Sequence, residues 1–515
     1  MKRSRQAVEI NIDELRRALD RARQEPLPEA DYRKLNVALD VLKERLQPTR
    51  TTEKTATVVQ QPKLADNTSR SPDHDERPAR KGHGRNGAGE YTAARKVVIP
   101  AKLTSGDACP ECARGRVYRQ RQPKTLVRVV GQAPVEATVY EMERLRCNAC
   151  GQVFTAEEPH DLGPEKYDAT ARAMIAQLKY GSGVPFTRLE AMQAQIGIPL
   201  PAATQWGLME QAATLLKPAF NQLLWQAAQG EVLHNDDTGM RILRLAREPS
   251  DKRTGIFTSG IVSLWQNRKI ALFFTGRQHA GENLADVLKQ RAQPMGSPIQ
   301  MCDALSRNTP KPANGVRTLL ANCMAHGRRQ FVDVAANFPQ QCRYVLETLG
   351  MVYGNDALAR EQGLDAAERL RFHQQYSGPL LDHLHVWLQR QLAEAQAEPN
   401  SGLGKAISYL LNHWPELTLF LREKGAPLDN NVCERALKKA ILNRKNALFY
   451  KTLNGAWVGD LFMSLIHTCE LNGVNSFRYL TELQRHSVDV KQAPGDWMPW
   501  NYDATLARMH SSAAA

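Results

Sequence analysis

The sequence predicts a multidomain α/β protein with one sheet-containing core, and three observations carry that prediction. The chain has 515 residues, enough to bury several cores and to form roughly three or four domains. Strand-like runs concentrate between about residues 230 and 325 and are bracketed by helical patterns, the signature of a mixed fold. Two Cys-x-x-Cys pairs flank a β-branched stretch outside that core, which marks a separate small module.

Composition bounds the function class. Lys+Arg 68 against Asp+Glu 54 gives a formal charge of +14, and such a surplus favours a polyanionic partner, nucleic acid by default, through neutralised phosphates and released counterions. No apolar run approaches the roughly 20 residues a bilayer span requires, and the start MKRSRQAVEINIDELRR carries no apolar signal core. A cytoplasmic protein with no membrane partner is expected. Nine cysteines is an odd count, and the paired ones suit metal ligation in a reducing compartment better than disulfides.

Taken in order, residues 1–48 read as an N-terminal helical segment. Leu15, Leu19 and Ala22 make one stripe, Pro26 and Pro28 break it, and Leu35, Leu39, Leu42 and Leu46 alternate four and three apart as in a short coiled coil. Residues 49–95 are polar and Gly/Pro-rich, a flexible basic linker whose Arg77–Arg85 part is basic. Residues 96–160 hold Cys109-Pro-Glu-Cys112 and Cys147-Asn-Ala-Cys150 around TLVRVVGQAPVEATVYEMERLRC. That pattern predicts a zinc ribbon, in which four thiolates close a tetrahedral site around one structural Zn2+ and the metal substitutes for a core. Residues 161–228 are helical. Leu189, Met192 and Ile196 share a face, Gly197-Ile198-Pro199 turns the chain, and Pro201 restarts a helix, so the segment resembles a helix-turn-helix with Thr204, Gln205 and Trp206 on the reading helix.

Residues 229–335 supply the strands: GEVLHNDDTGMRILRL, then GIFTSGIVSLWQ and KIALFFTG in hairpin order, the amphipathic helix GENLADVLKQR, and the strands PIQMCDA and TLLANCMAH. Hairpin, helix and further strands in this order open a ribonuclease H-like core, in which acids at neighbouring strand ends converge. Asp236 and Asp303 end two of these strands. Alternate strand residues face opposite ways, so of Asp236 and Asp237 only one enters a shared site, and Asp236 is assigned to it. The long stretch before the third acid predicts a folded helical insertion, residues 336–424, rather than a loop. Residues 425–450 form the helix that carries Glu434, and residues 451–515 a C-terminal helical region and tail. Strand, strand and helix would then present three carboxylates to hard divalent cations around a phosphate. His326 with Arg328 and Arg329 reads as a phosphate-facing cluster.

The blocks LHNDDTGMRIL, IQMCDA, CMAHGRRQF and PLDNNVCERALKKAILNRKNALF, with the tail WMPWNY, resemble the corresponding blocks of the insertion-sequence-66 family of DDE transposases, in the family's order along nearly the whole chain. Two departures are visible: Asp236-Asp237-Thr238 stands where the family commonly has Asp-Glu-Thr, and Ala304 follows the second acid where an aromatic residue is usual. The resemblance implies that Asp236, Asp303 and Glu434 are the catalytic acids, holding two Mg2+ (or Mn2+) per active site for cleavage at element ends and joining of the 3′-hydroxyls to target DNA. It implies double-stranded DNA as partner, with Arg435, Lys438, Lys439, Arg444 and Lys445 on its phosphates, a homodimer or higher oligomer in the synaptic complex, accessory proteins from the same element, and nucleoid association in a bacterial cytoplasm. A non-catalytic DNA-binding regulator, and a ribonuclease H-like nuclease or resolvase without strand transfer, are the competing readings.

Overall fold

A computed structural model describes Thr55–Val58, residues 88–90 and most of 94–513, with 246–252 and 311–315 the longest internal stretches left out. The N-terminal coiled-coil segment and the basic part of the linker lie outside the described residues. Elements follow in the order β1 (Arg144–Arg146), β2 (Val153–Thr155), α1 (Ala169–Ala176), α2 (Phe186–Gln195), α3 (Ala202–Ala228), β3 (Val232–Gly239), β4 (Phe257–Trp265), β5 (Arg268–Gly276), α4 (Ala280–Leu288), β6 (Ile299–Cys302) and β7 (Leu319–Asn322). Helices α5 (Met324–Val334), α6 (Pro339–Glu361), α7 (Ala366–Tyr376), α8 (Gly378–Ala393), α9 (Gly402–Asn412), α10 (Asn431–Ala447), α11 (Leu453–Leu471), α12 (Ser476–Arg485) and α13 (Tyr502–Ala513) complete it, with short helical turns between them. The fold is therefore mixed α/β. Among the described residues no helix is long and apolar enough to cross a membrane.

The chain divides into two compact units that interleave in sequence. The first comprises Met1–Pro62, Gly230–Asp236 and Gln293–Cys433. In it, β3, β6 and β7 run parallel in that order, with Val232 opposite Ile299 and Ile299 opposite Leu319. All four residues of β6 are buried, as expected of a parallel strand covered on both faces. The loop from β7 into α5 is pinned by Cys323 N–H donating to Cys302 O at 2.9 Å and Met324 N–H to Leu428 O at 3.0 Å. Helices α5 to α9 pack on one another, α5 against α6 and α9 and α8 against α6, α7 and α9, while the short turn Trp414–Leu417 lies against β7. Gly327 of α5 is required where α9 crosses it, because a Cβ there would stand 2.6 Å from a Leu410 side-chain carbon. Within the helical layer, Asp356 is fully buried and accepts from Arg369 at 2.5 Å and from Arg360, with His373 Nε2 at 3.3 Å. These donors hold its carboxyl down at about 2 against the opposing effect of burial.

The second unit comprises Lys63–Gln229, Asp237–Ala292 and Glu434–Ala515. Its sheet order is β5-β4-β3. Strands β4 and β5 pair antiparallel in register from Phe257–Gly276 to Trp265–Arg268, and the two-residue turn Gln266-Asn267 adopts φ +48° and +64°, the left-handed pair that a twisted hairpin demands. Helix α11, buried along most of its length, packs on β5. There Ser464, Thr468 and Asp460 accept backbone N–H groups of Phe273, Ala271 and Thr275 at 3.0, 3.0 and 2.6 Å. Burial pushes the Asp460 carboxyl up to about 7.

The cysteine region is also in this unit and contrasts with its helices. The β-branched run between the pairs predicted more strand than is present: among the described residues only β1 and β2, antiparallel and fully exposed, are strands there, apart from a single bridge between Ala108 and Arg116. Among described residues 94–166 Val135 alone is buried, while Val98, Ile99 and Val139 are more than four-fifths exposed. Alternation came without a partner sheet to bury one face, so the pattern did not become strand.

Candidate functional site

Asp236 does not end β3 as expected but lies within it, two residues beyond the last paired residue His234, and Asp303 follows β6 directly, so the parallel register of the first unit carries both acids to the same end of β6. The side chain of Asn308, on the short turn Ser306–Asn308 after β6, joins them. Its Nδ2 donates to Asp303 Oδ1 at 2.5 Å and reaches Asp236 Oδ1 at 3.3 Å. Two carboxylates sharing one donor lie within a few ångströms of each other.

A buried polar network holds this arrangement. Asn235 donates to Asn308 O at 2.7 Å, and Gln300 donates to that same carbonyl at 2.8 Å and to Asn235 Oδ1 at 2.9 Å. Asn430 donates to Asn235 O at 3.1 Å, and its Oδ1 lies 3.1 Å from His234 Nδ1. Asn235, Gln300, Asn308 and Asn430 are all fully buried. Buried amides of this kind must be satisfied or they destabilise the fold, and satisfied they fix one geometry. The field of the acids is visible on their neighbours: burial first, then Asp303 and Asp236, drives the Cys302 thiol far above its ordinary range, and burial with Asp303 lifts Tyr409 to about 12.

Asp237 turns the other way. In the second unit its carboxylate, nearly inaccessible, meets His279 Nδ1 at 2.8 Å, and Phe257 lies against the imidazole with ring centroids 4.2 Å apart. Adjacent acids on one strand thus have separate partners. Glu434 lies on the first turn of α10 and begins the last segment of the second unit. Asn430, at the edge of the first unit's network, precedes it by one helical turn.

The basic residues divide by what they touch. Arg435, Lys438 and Lys445 are exposed along α10. Lys439 donates to Glu470 at 2.8 Å and to Gly181 O at 3.2 Å, and Arg444 donates to Thr238 Oγ1 at 3.1 Å and to Gly239 O, so both tie α10 to its own unit. Arg328 donates to Thr55 Oγ1 at 3.2 Å. His326 and Arg329 are half-buried on α5.

One expectation is corrected outright. Helices α2 and α3 make the anticipated hairpin, with Gly197 at φ +80° in the turn and Pro201 before α3, but Gln205 does not face outward. It is fully buried, and its amide donates to Phe186 O at 3.1 Å and Leu200 O at 2.8 Å. It satisfies the carbonyls of the hairpin and has no edge to offer a base. Thr204 and Trp206 beside it are half-buried.

The cysteines sit on two tight turns. Cys109 N–H donates to Gly115 O at 2.8 Å, and Cys147 N–H to Gln152 O at 2.9 Å, between β1 and β2. The backbone N–H groups of Arg114 and Gly115, then Cys109, hold the Cys112 thiol below its ordinary value, which favours the thiolate that zinc binds. Among the described residues, no three of the four sulfurs form a group with all ligand atoms within 4.8 Å.

Asn308 and His279 are the residues that sequence reading missed. The only available signal was an Asn close behind the second acid and a His before an amphipathic helix, neither of which has a diagnostic spacing.

A family model described as Transposase IS66 family matches residues 166–457, a span that contains Asp236, Asp303, the helical layer and α10. Two Sinorhizobium fredii proteins are similar over most of their length. Uncharacterized protein y4jD is 27% identical over 443 residues, 81% of this chain and 84% of its own. Uncharacterized protein y4hP is 26% identical over 439 residues, 80% of this chain and 76% of its own.

Proposed function

The chain belongs to the IS66 family of transposases, and from that premise we propose that it cuts DNA at the ends of an insertion sequence and joins the freed 3′-hydroxyls to target DNA. The observation that carries the reading is Asn308 bridging Asp236 and Asp303. Like charges held this close repel, and a fold that builds their meeting point into a buried network supports a cation as their partner.

In this reading Asp236, Asp303 and Glu434 hold two Mg2+ or Mn2+ ions, and the support is oxygen donors alone on two neighbouring parallel strands and a helix. When bound, such ions activate water for in-line attack and stabilise the leaving oxygen. The chain's own residues do the rest. Asn308 fixes the rotamers of both aspartates, Asn235 and Gln300 fix Asn308, and Asn430 fixes the backbone from which Asp236 projects. Arg435, Lys438 and Lys445 hold DNA phosphates along α10, with His326, Arg328 and Arg329 on α5. An antiparallel hairpin followed by parallel strands supports the ribonuclease H-like reading of the core. Cys109, Cys112, Cys147 and Cys150 hold one structural Zn2+, supported by their knuckle turns and by the low Cys112 thiol. Two element ends must meet for joining, so the working form is a dimer or larger.

The test is the full chain with Mg2+, duplex DNA carrying the ends of its element, and a target plasmid. Ends covalently joined to target are expected. Nicked ends without joined product would favour the nuclease or resolvase, and binding without nicking the non-catalytic regulator.

A further inference from the structure

The second unit carries a surface that the cleavage chemistry leaves unused. Beyond α10 the chain enters Leu448 at φ +68°, a left-handed conformation unfavourable for a bulky side chain. Leu448 N–H donates to Arg444 O at 2.9 Å, and Phe449 N–H to Ala447 O at 2.8 Å, which fixes the bend. The next residues are clamped to the segment after β3: Tyr450 N–H donates to Arg241 O, Leu243 N–H to Tyr450 O and Arg244 N–H to Lys451 O, at 2.9, 3.0 and 3.0 Å. Behind them Met240, Ile242, Ala440, Tyr450 and Ala456 form a buried cluster.

In front, Leu448 is 65% exposed, with Leu243, Leu453 and Phe449 also exposed. Arg241, Arg244, Lys445 and Lys451 are exposed among them. No Asp or Glu occurs from Arg435 to Gly459 or from Thr238 to Leu245. A rigid apolar tip, kept in an unfavourable backbone conformation and flanked by four exposed cations, with Glu210 tied to Asn454 at its margin, matches a duplex: cations meet phosphates while the apolar side chain enters the base stack.

We propose that this surface binds duplex DNA and that Leu448, backed by Phe449, is a wedge inserted between bases at the element end. The proposal deepens the transposase reading and rests on DNA being the partner. Arg241, Arg244, Lys445 and Lys451 supply the sequence-independent attraction, and the wedge makes the local opening of the stack.

Leu448→Asn separates wedge from fold, because Asn tolerates the left-handed conformation and so leaves the melting temperature unchanged or raised. With the full-length chain and element-end duplexes carrying 2-aminopurine at successive positions, the unaltered protein should brighten the probe at one position. Leu448→Asn should abolish that signal and lower affinity about tenfold, with the salt dependence of binding unchanged. Arg244→Ala and Lys451→Ala should each lower the slope of log K against log salt by about 0.9 while keeping the signal. Full brightening and full affinity in Leu448→Asn would overturn the proposal, as would loss of self-association with DNA binding intact, which would make the tip a contact between copies. If the unaltered chain neither binds nor cuts these ends, the transposase reading itself fails; if it cuts and Leu448→Asn behaves identically, only the wedge does.

Discussion

The paired aspartates of the first unit and the cysteine turns of the second are both candidate metal centres, and the fold treats them in opposite ways. Asp236 and Asp303 are brought together by parallel strands and by four fully buried amides, so their meeting point is set by the same packing that makes the core. Cys109, Cys112, Cys147 and Cys150 stand on turns in a region where Val135 alone of the described residues is buried, so little core is there to set their separation. A site that must present cations to a substrate is held rigid by protein; a site whose purpose is to organise its own segment relies on the ligand for order.

The largest expected effect tests the second half of that contrast. Stripping zinc with a chelator, or replacing Cys112 with Ser, should release the fold of residues 105–155. A structural tetrathiolate contributes on the order of 10 kcal/mol to such a module. Limited proteolysis should then cut within it, with one zinc lost per chain by metal analysis. Unchanged protection after complete zinc removal would show the region to be self-sufficient and erase the contrast.

A smaller effect tests the first half. Asn308→Ala removes the shared donor but no acid, and cleavage should need about 10–100-fold more Mg2+ while the cooperative thermal transition persists. An unshifted metal requirement would mean that strand pairing alone orients the aspartates.

The smallest effect comes from a buried acid with no proposed catalytic role. Asp460 sits at about 7 in the fold against about 3.9 in an unfolded chain. Below the lower value both states hold the proton. Between the two only the folded state does, so stability falls as pH rises through that window and levels off above it. Thermal melts of Asp460→Asn, which keeps an acceptor for Thr275 N–H, should lack this fall; a parallel pH profile in variant and parent would remove Asp460 as its source.

Much of the core was legible in the sequence because strands write their period into it. Alternation around Asp236 and Asp237 required separate faces, and the two acids do have separate partners, Asn308 and His279. Legibility ended where side chains serve backbone. Gln205 reads as a base-contacting amide on the second helix of a hairpin, yet its donors go to two carbonyls that no periodicity announces. Asn308 likewise gains its role from a short turn that brings it back beneath two strands, a contact made in space and not in spacing. In the cysteine region β-branched residues alternated without a sheet to pair with, so propensity overstated strand.

The most direct test of the central claim is metal-dependent cleavage of element-end DNA by Asp236→Asn, Asp303→Asn and Glu434→Gln beside the parent chain. Each substitution keeps the shape and removes a charge, and should cut activity by on the order of a thousandfold or more, several kcal/mol of transition-state stabilisation, with DNA affinity retained. Parent-level cleavage by the Asp236 or Asp303 variant would contradict it, since the carboxylates that share Asn308 would then have no part in the chemistry.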